Sequence, residues 1–347
     1  MAYLRVIFLA LPFINVLGFA TMVLRGAGDA RTPFLLMGLT VVLDVGLNPL
    51  LIFGLGPIPA FGVAGSALAT LTAQIIGIAA LLVFVYRRKH FLALRRHELG
   101  FLMPNRAVLR ALVVKGIPMG MQMFVVSLAA IAMIGMVNTF GTDTTAAYGA
   151  VTQLWTYVQM PAVAIGASVS SMVAQNVGAM RWDRVSRITR YGVLYSIIMT
   201  ALPSCVILLL GRIALSFFLG NDETAITIGL HIDRIVLASF TLFGVMFVLA
   251  GTVRATGAVV PPLLALTFSL WCVRIPLAHW LLPVHGADAI WWSFPVGTTC
   301  AVTLVALYYK FGNWRRNTML AAAPVVSTPT PALAPSPTAP AVITEGR

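Results

Sequence analysis

The sequence predicts an all-α membrane protein, a polytopic bundle of about nine transmembrane helices in two pseudo-symmetric lobes, of which the N-terminal lobe is incomplete. Three observations support this prediction: the composition, a series of long apolar runs, and an internal repeat. Of the 347 residues 59% are hydrophobic and 10% are charged, and the mean hydropathy is +0.94. Soluble domains carry about 25% charged residues, so a soluble fold is excluded. A transmembrane β-barrel would show alternating segments of about ten residues, which the sequence lacks.

The apolar runs are each about 20 residues long, which is enough to cross a bilayer as a helix. We expect nine spans, at residues 4–24, 34–53, 63–85, 113–137, 148–173, 194–218, 235–253, 263–282 and 289–308. They divide the chain into an incomplete N-terminal lobe (1–86), a cytoplasmic inter-lobe loop (87–112), a C-terminal six-helix lobe (113–316) and a tail (317–347). The tail is rich in Ala, Pro and Thr and is expected to be disordered.

The basic residues are distributed unevenly between the loops. The chain has 23 Lys and Arg against 10 Asp and Glu, a net charge of +13. Most of them lie after the odd-numbered spans, whereas the loops after the second and fourth spans have none. Because basic loops stay in the cytoplasm, we predict a multi-pass protein of the cell (inner or plasma) membrane with a cytoplasmic C-terminus. The charge surplus then reflects orientation, and no nucleic-acid partner is expected.

A weak internal repeat relates the end of the first span to the end of the seventh. Arg25 and Gly28 recur as Arg254 and Gly257, with a constant offset of 229 residues (254 − 25). In the second copy three spans precede this element, whereas in the first copy none does. In addition, cytoplasmic basic loops place residue 1 on the outer side of the membrane. Both observations predict two lobes of six helices related by an axis along the membrane normal, with the last nine helices in this chain.

Four motifs resemble the multidrug and toxic compound extrusion (MATE) family, in the order in which that family carries them. They are LRGAGDARTP (24–33), LNPLLIFGLGPIPAFGVAGSALAT (47–70), KGIPMGMQ (115–122) and QMPAVAIGASVSSMVAQNVGA (159–179). The resemblance covers about residues 1–315 and points to the DinF-like branch of the family. It implies a fold of two six-helix bundles around a central cavity, of which the first three helices are absent here. It further implies efflux of drugs or metabolites by alternating access, driven by inward H⁺ or Na⁺.

Asp44 is the one carboxylate well inside a predicted span. A charged side chain at a helix centre costs about 2.5–3.5 kcal/mol on insertion scales, which makes Asp44 a candidate functional residue. Asn48 lies four residues on and shares its face. Pro49 has no N–H, so the carbonyl of Val45 loses its helical partner. A carboxylate, an amide oxygen and a free carbonyl within one helical turn suit a hard cation or a proton relay. The alternatives are that Asp44 only packs between helices and that Pro49 only kinks its helix.

The resemblance adds Thr70, which matches a hydroxyl that completes the family's cation site. In the DinF-like branch this helix carries an amide and then an acid, whereas here Asp44 precedes Asn48. We therefore predict a cation-coupling set of Asp44, Asn48 and Thr70, in which Asn48 matters more than Thr70. One acid among neutral partners slightly favours H⁺ over Na⁺, and no cofactor or resident metal is expected. The remaining acids, Asp233 among them, lie near predicted helix ends and are expected to be solvated.

Polar and adaptable side chains are candidates for lining a substrate cavity. We list Gln74, Met119, Gln122, Gln153 and Arg274, although amides between membrane helices are commonly packing contacts and methionine is also an ordinary apolar contact residue. Arg274 lies too deep in its span to reach either surface easily, so it is expected to face water, a partner or a substrate carboxylate. The expected partners are the bilayer and small lipophilic or cationic molecules, and the protein is expected to be a monomer.

Three alternatives to cation-coupled efflux are open. A lipid-linked precursor flippase of the same superfamily would line its cavity with several basic residues, whereas only Arg274 lies deep in a span. An intramembrane transferase or metalloprotease would carry paired acids for Mg²⁺ or an HExxH motif, and the sequence has neither. A transporter rather than an enzyme is therefore expected, with an inactive truncated fragment as the third alternative.

Overall fold

The computed structural model describes residues 2–54, 59–88, 93 and 105–316, and this part of the chain is almost entirely helical. Eleven α-helices are present in it: α1 (Ala2–Gly26), α2 (Arg31–Phe53), α3 (Val63–Arg87), α4 (Arg106–Val137), α5 (Thr142–Gly178), α6 (Trp182–Leu219), α7 (Glu223–Val236), α8 (Ser239–Ala255), α9 (Val260–Thr267), α10 (Ile275–His285) and α11 (Asp288–Phe311). A π-helical segment, Phe268–Arg274, joins α9 to α10 into one continuous span.

Within these described residues, eight helices are long and apolar enough to cross a membrane, or nine when the bent pair α7 and α8 counts as one span. This confirms the predicted all-α membrane fold. The helices extend beyond the predicted spans: α5 and α6 have 37 and 38 residues. The α4 helix begins at Arg106, inside the predicted inter-lobe loop, because Asn105 caps it by accepting from the N–H of Ala107 at 2.9 Å. Most of that loop, and the predicted tail from residue 317, lie outside the described residues.

The seventh span differs most from its prediction. It is a pair of helices, α7 and α8, bent by 50°, rather than one helix over 235–253. The α7 helix begins at Glu223 because Asp222 caps it, with Oδ1 accepting from the N–H of Ala225 at 3.0 Å. The earlier start places Asp233 inside the bundle, where it is 1% exposed. The prediction of a solvated Asp233 is therefore wrong.

The N-terminal lobe consists of α1, α2 and α3, which pack closely through small residues. A side-chain carbon at Gly65 of α3 would collide with the backbone carbonyl of Leu51 in α2. A carbon at Gly77 would lie 2.6 Å from the Thr40 methyl group and 3.0 Å from Leu17. Because both helices approach α3 this closely, a side chain of α3 can reach the middle of α2.

The C-terminal lobe, α4 to α11, holds the larger core. Its centre is a cluster of aromatic side chains from α5, α8 and α11. The rings of Tyr148 and Trp291 stack at 5.7 Å, and Trp155 meets Phe294 edge-on at 5.0 Å and Phe240 at 5.5 Å. Burial of such large rings, with favourable pair geometry, stabilises the lobe.

The two lobes meet where α1 and α5 end. Ser171 Oγ of α5 donates to the carbonyl of Arg25 at 2.7 Å, and Gln175 Nε2 donates to the carbonyl of Gly26 at 2.9 Å. These side chains satisfy carbonyls that the end of α1 leaves without helical partners. The contact therefore joins the lobes through hydrogen bonds to backbone atoms.

The turn after α1 has the same conformation as the turn after α8. Gly28 has φ of 94° and Gly257 has φ of 89°, a region that favours glycine because it has no Cβ. The N–H of Gly28 donates to Arg25 at 3.0 Å, and that of Gly257 donates to Arg254 at 2.9 Å. The repeated sequence thus places a glycine of positive φ, with an equivalent hydrogen bond, in the turn of both lobes.

Candidate functional site

The N-terminal lobe contains a polar site at the middle of α2. Thr70 Oγ1 of α3 lies 3.0 Å from Asp44 Oδ1, and the same hydroxyl lies 3.2 Å from the carbonyl of Ser66. Both Asp44 and Thr70 are partly buried. A hydroxyl has one hydrogen to donate, so when it donates to Ser66 its lone pairs face Asp44. The pair can thus accommodate either a carboxylate or a protonated carboxyl group.

Asn48 lies next to this pair but does not contact the carboxylate through a hydrogen bond in the described structure. Its Nδ2 donates instead to the backbone carbonyl of Asp44 at 2.9 Å, one turn back in the same helix. The amide oxygen of Asn48 therefore remains an acceptor near Asp44. Pro49 lies inside α2, so the carbonyl of Val45 lacks its usual helical donor. The set supplies one charged and several neutral oxygens.

The C-terminal lobe encloses a cavity of about 320 Å³ between α4, α5, α8, the π-helical segment and α11. We call it the C-lobe cavity. Its lining is mostly apolar and aromatic, and among the described residues that line it there is no Asp or Glu. Six of these side chains matter for its chemistry: Gln122, Trp155, Gln159, Phe240, Arg274 and Phe294.

Arg274 is the charged group of this cavity. Its guanidinium carbon lies 3.3 Å from the centroid of the Phe294 ring, a stacking contact typical of arginine. Gly297 makes room for it, because a carbon there would lie 3.0 Å from Arg274 Cβ. The Nε atom is buried and has no hydrogen-bond partner. The two ion pairs found within the described part of the chain, Arg212 with Glu223 and His231 with Asp288, do not involve Arg274.

Asp233 lies behind the cavity wall. Trp155 Nε1 donates to Asp233 Oδ1 at 2.9 Å in a fully buried contact, and Asp233 Oδ2 has no hydrogen-bond partner. Because Trp155 also lines the cavity, Asp233 fixes the orientation of one wall. Asp233 therefore acts on the cavity through Trp155 rather than by direct contact.

A family pattern described as MatE matches residues 118–280 of the chain. The "Probable multidrug resistance protein YoeA" of Bacillus subtilis is 35% identical over 316 residues, which cover 90% of this chain and 68% of that protein. The chain belongs to the MATE family. This confirms the family that the four motifs predicted, whose members are transporters of the multidrug efflux type rather than enzymes.

Other MATE proteins are similar along the same stretch. The "Probable multidrug resistance protein NorM" of Thermotoga maritima is 25% identical over 92% of this chain and 68% of its own length. A MATE crystal structure in complex with MaL6 has a TM-score of 0.80 at 19% identity, covering 89% of this chain and 68% of that one. The structure of a MOP superfamily transporter from Pyrococcus furiosus has a TM-score of 0.80 at 18% identity, and it also covers 89% of this chain and 68% of its own. These structures confirm the fold, whereas membership of the DinF-like branch stays a prediction.

The structure separates the cavity residues predicted for this MATE protein into two groups. Gln122 and Arg274 line the C-lobe cavity together. Met119 is 48% exposed on α4, whereas Met123, on the same helix, lines the C-lobe cavity. Gln153 is exposed on α5, with its Nε2 3.5 Å from the Tyr157 hydroxyl. Gln74 lies in the other lobe, one turn beyond Thr70 on α3.

Sequence reasoning missed Asp233 and its partner Trp155. A signal for Asp233 was present, because Ile226, Gly229, Asp233 and Val236 recur at helical spacing and form the buried face of α7. With Asp222 recognised as an N-cap, the helix would have been predicted from Glu223. The partner could not have been found this way, since Trp155 lies 78 residues away in the chain.

Proposed function

We propose that this MATE protein exports small lipophilic molecules across the cell membrane in exchange for inward H⁺ or Na⁺, by alternating access. The observation that carries the proposal is the 3.0 Å contact between Thr70 and Asp44, at the centre of an apolar helix. An ionisable residue at such depth is costly and is characteristic of ion pathways and proton relays in transporters. Asp44 is thus proposed to bind the coupling ion.

A proton is favoured over a sodium ion by the composition of the site. In the described part of the chain no group of three or more His, Cys, Asp or Glu could hold a metal ion. A sodium ion would therefore depend on Asp44 and on the neutral oxygens of Asn48, Thr70 and Val45. A proton needs the carboxylate alone, and a protonated Asp44 still has a hydrogen-bond partner in Thr70.

Alternating access requires a contact between the lobes that can open and close. The hydrogen bonds from Ser171 and Gln175 to the end of α1 form such a contact. Basic residues gather at this end: Arg25 and Arg254 lie in the last turns of α1 and α8. Lys115 Nζ donates to the carbonyl of Gly257 at 2.7 Å. Following the positive-inside rule, we propose that this end and the C-terminus are cytoplasmic.

The C-lobe cavity supports lipophilic substrates, because aromatic and apolar side chains dominate its lining. It does not favour cationic ones, since its charged group is Arg274 and no acid lines it among the described residues. A single deep arginine also gives no support to the flippase alternative, which would need several basic residues.

The test is dye transport in inverted membrane vesicles from cells that express the protein. With an acidic lumen, wild-type vesicles should accumulate a neutral lipophilic dye, and Asp44→Asn vesicles should not, because an amide cannot exchange a proton. A sodium gradient in place of the pH gradient distinguishes the two ions.

Asp183→Asn is the matched control, because Asp183 is an exposed acid in the first turn of α6. It should transport like the wild type at equal expression. Dye accumulation by Asp44→Asn at the wild-type rate would reduce Asp44 to a packing residue.

A further inference from the structure

We propose that the C-lobe cavity binds small organic anions, with Arg274 holding the anionic group and the aromatic walls holding a flat apolar body. This rests on the proposed export function for its physiological meaning, since it names the class of molecule that the exporter carries. It keeps the apolar character expected from the sequence and replaces the expected positive charge of the substrate with a negative one.

The first argument is that Arg274 has no counter-ion among the residues that the structure describes. It makes no hydrogen bond or ion pair with any described residue, and its Nε is buried. Buried polar atoms are almost always hydrogen-bonded, and an unpaired buried charge is strongly unfavourable. Stacking on Phe294 orients the guanidinium group but leaves its N–H groups unbonded. Such a planar fork of donors matches a carboxylate or sulfonate.

The second argument is that the neighbouring amide presents a donor. Gln122 Oε1 accepts from Arg254 Nη1 at 3.4 Å, so its oxygen is occupied and its Nε2 hydrogens are available to a ligand. The cavity serines contribute no further donor, because Ser239 and Ser269 donate to the backbone carbonyls of Val236 and Gly297. Arg274 and the N–H₂ group of Gln122 both suit an anion, and Gln159 adds a second amide to the lining.

The third argument concerns the walls. Trp155, Phe240 and Phe294 line the cavity, and the Trp155 ring contacts each of the two phenylalanine rings. The hydrogen bond to Asp233 holds Trp155 in place, so this wall is preorganised for stacking. The volume, about 320 Å³, lies near the lower end of the range for small-molecule pockets. It suits a molecule with one or two rings and one acidic group.

The test compares two probes of equal shape, 2-naphthoate and its uncharged amide, 2-naphthamide. Binding is measured by calorimetry on the purified chain in nanodiscs at neutral pH, with empty nanodiscs subtracted. Wild-type protein should bind the acid at least about tenfold more tightly than the amide. Arg274→Gln should weaken naphthoate binding about 10- to 100-fold, as expected for a charge-assisted hydrogen bond, and leave naphthamide binding unchanged. Arg274→Lys should keep a reduced preference for the acid.

The control is Arg212→Gln, which removes an exposed arginine paired with Glu223 and should change neither affinity. Equal affinity of the two probes for wild-type protein, or no binding of either, would overturn the proposal even if Arg274→Gln failed to fold. An undiminished acid preference in Arg274→Gln would overturn it as well. The outcome is separate from the export test: Asp44→Asn should lose ion-driven transport and still bind naphthoate like the wild type.

Discussion

Asp44 and Asp233 are both acids in an apolar environment, but their surroundings differ. Asp44 is partly buried and faces a hydroxyl that can donate or accept. Asp233 is fully buried and receives one hydrogen bond from an indole N–H, which can only donate. The first arrangement pairs the acid with a group that can donate or accept a hydrogen bond, whereas the second holds an aromatic wall in place.

The hydrogen bonds around Asp44 suggest a different order of importance for Asn48 and Thr70 from the one expected from sequence. Thr70 contacts the carboxylate, and Asn48 bonds to backbone instead. Thr70→Val should therefore slow ion-driven efflux more than Asn48→Ala, and Thr70→Ser should restore it because the hydroxyl returns. Initial transport rates in vesicles at matched expression measure this. A larger loss in Asn48→Ala than in Thr70→Val would mean that the amide acts on the ion directly.

Asp233 should act on stability and on the shape of the cavity. Asp233→Asn keeps an oxygen for Trp155 and should leave the unfolding temperature nearly unchanged. Asp233→Ala leaves the indole N–H buried without a partner, which should cost about 1–3 kcal/mol. Thermal unfolding in detergent, followed by tryptophan fluorescence, measures both. Equal stability of the two variants would show that the Trp155 contact contributes nothing.

At the scale of helices, hydropathy predicted the existence of the spans but not all of their ends. Window averages detect an all-apolar stretch, so they found 34–53 and 289–308 within a few residues of α2 and α11. They missed the start of α7, which is amphipathic because one of its faces is polar. They also could not show the π-helical segment ending at Arg274, since an average hydropathy does not distinguish i→i+4 from i→i+5 hydrogen bonding.

The contact between α1 and α5 should control how easily the lobes separate. Replacing Ser171 with Ala and Gln175 with Leu removes two hydrogen bonds to the end of α1. At roughly 0.5–1.5 kcal/mol each, their loss should speed amide hydrogen exchange in the turn at residues 25–29 by about tenfold. Hydrogen-exchange mass spectrometry gives the rates.

The matched control for this contact is Ser168→Ala with Asn176→Leu. Both side chains lie on α5 and bond to carbonyls of their own helix, Ser168 to Ala164 and Asn176 to Met172. This variant should exchange at the wild-type rate in the same turn. If the two double variants behave alike, the lobes are held together by something other than these hydrogen bonds.

For the whole molecule, composition and hydropathy predicted the fold class, and the repeated turns at Gly28 and Gly257 agree with two related lobes. The chain covers 68% of the similar proteins' length. The candidate ion site was predictable because Asp44 stands out within one helix. The aromatic cavity was only partly predictable, because Trp155, Asp233 and Phe294 come together from three distant helices, and a single sequence does not show which helices pack together.

The central claim is that Asp44 exchanges the proton that drives export. The most direct measurement is proton release when an exported dye is added to purified protein in weakly buffered detergent, followed with a soluble pH indicator. We predict release by the wild type and by Asp183→Asn, and none by Asp44→Asn, although all three bind the dye. Undiminished proton release by Asp44→Asn would contradict the claim and place the exchanging group elsewhere in the protein.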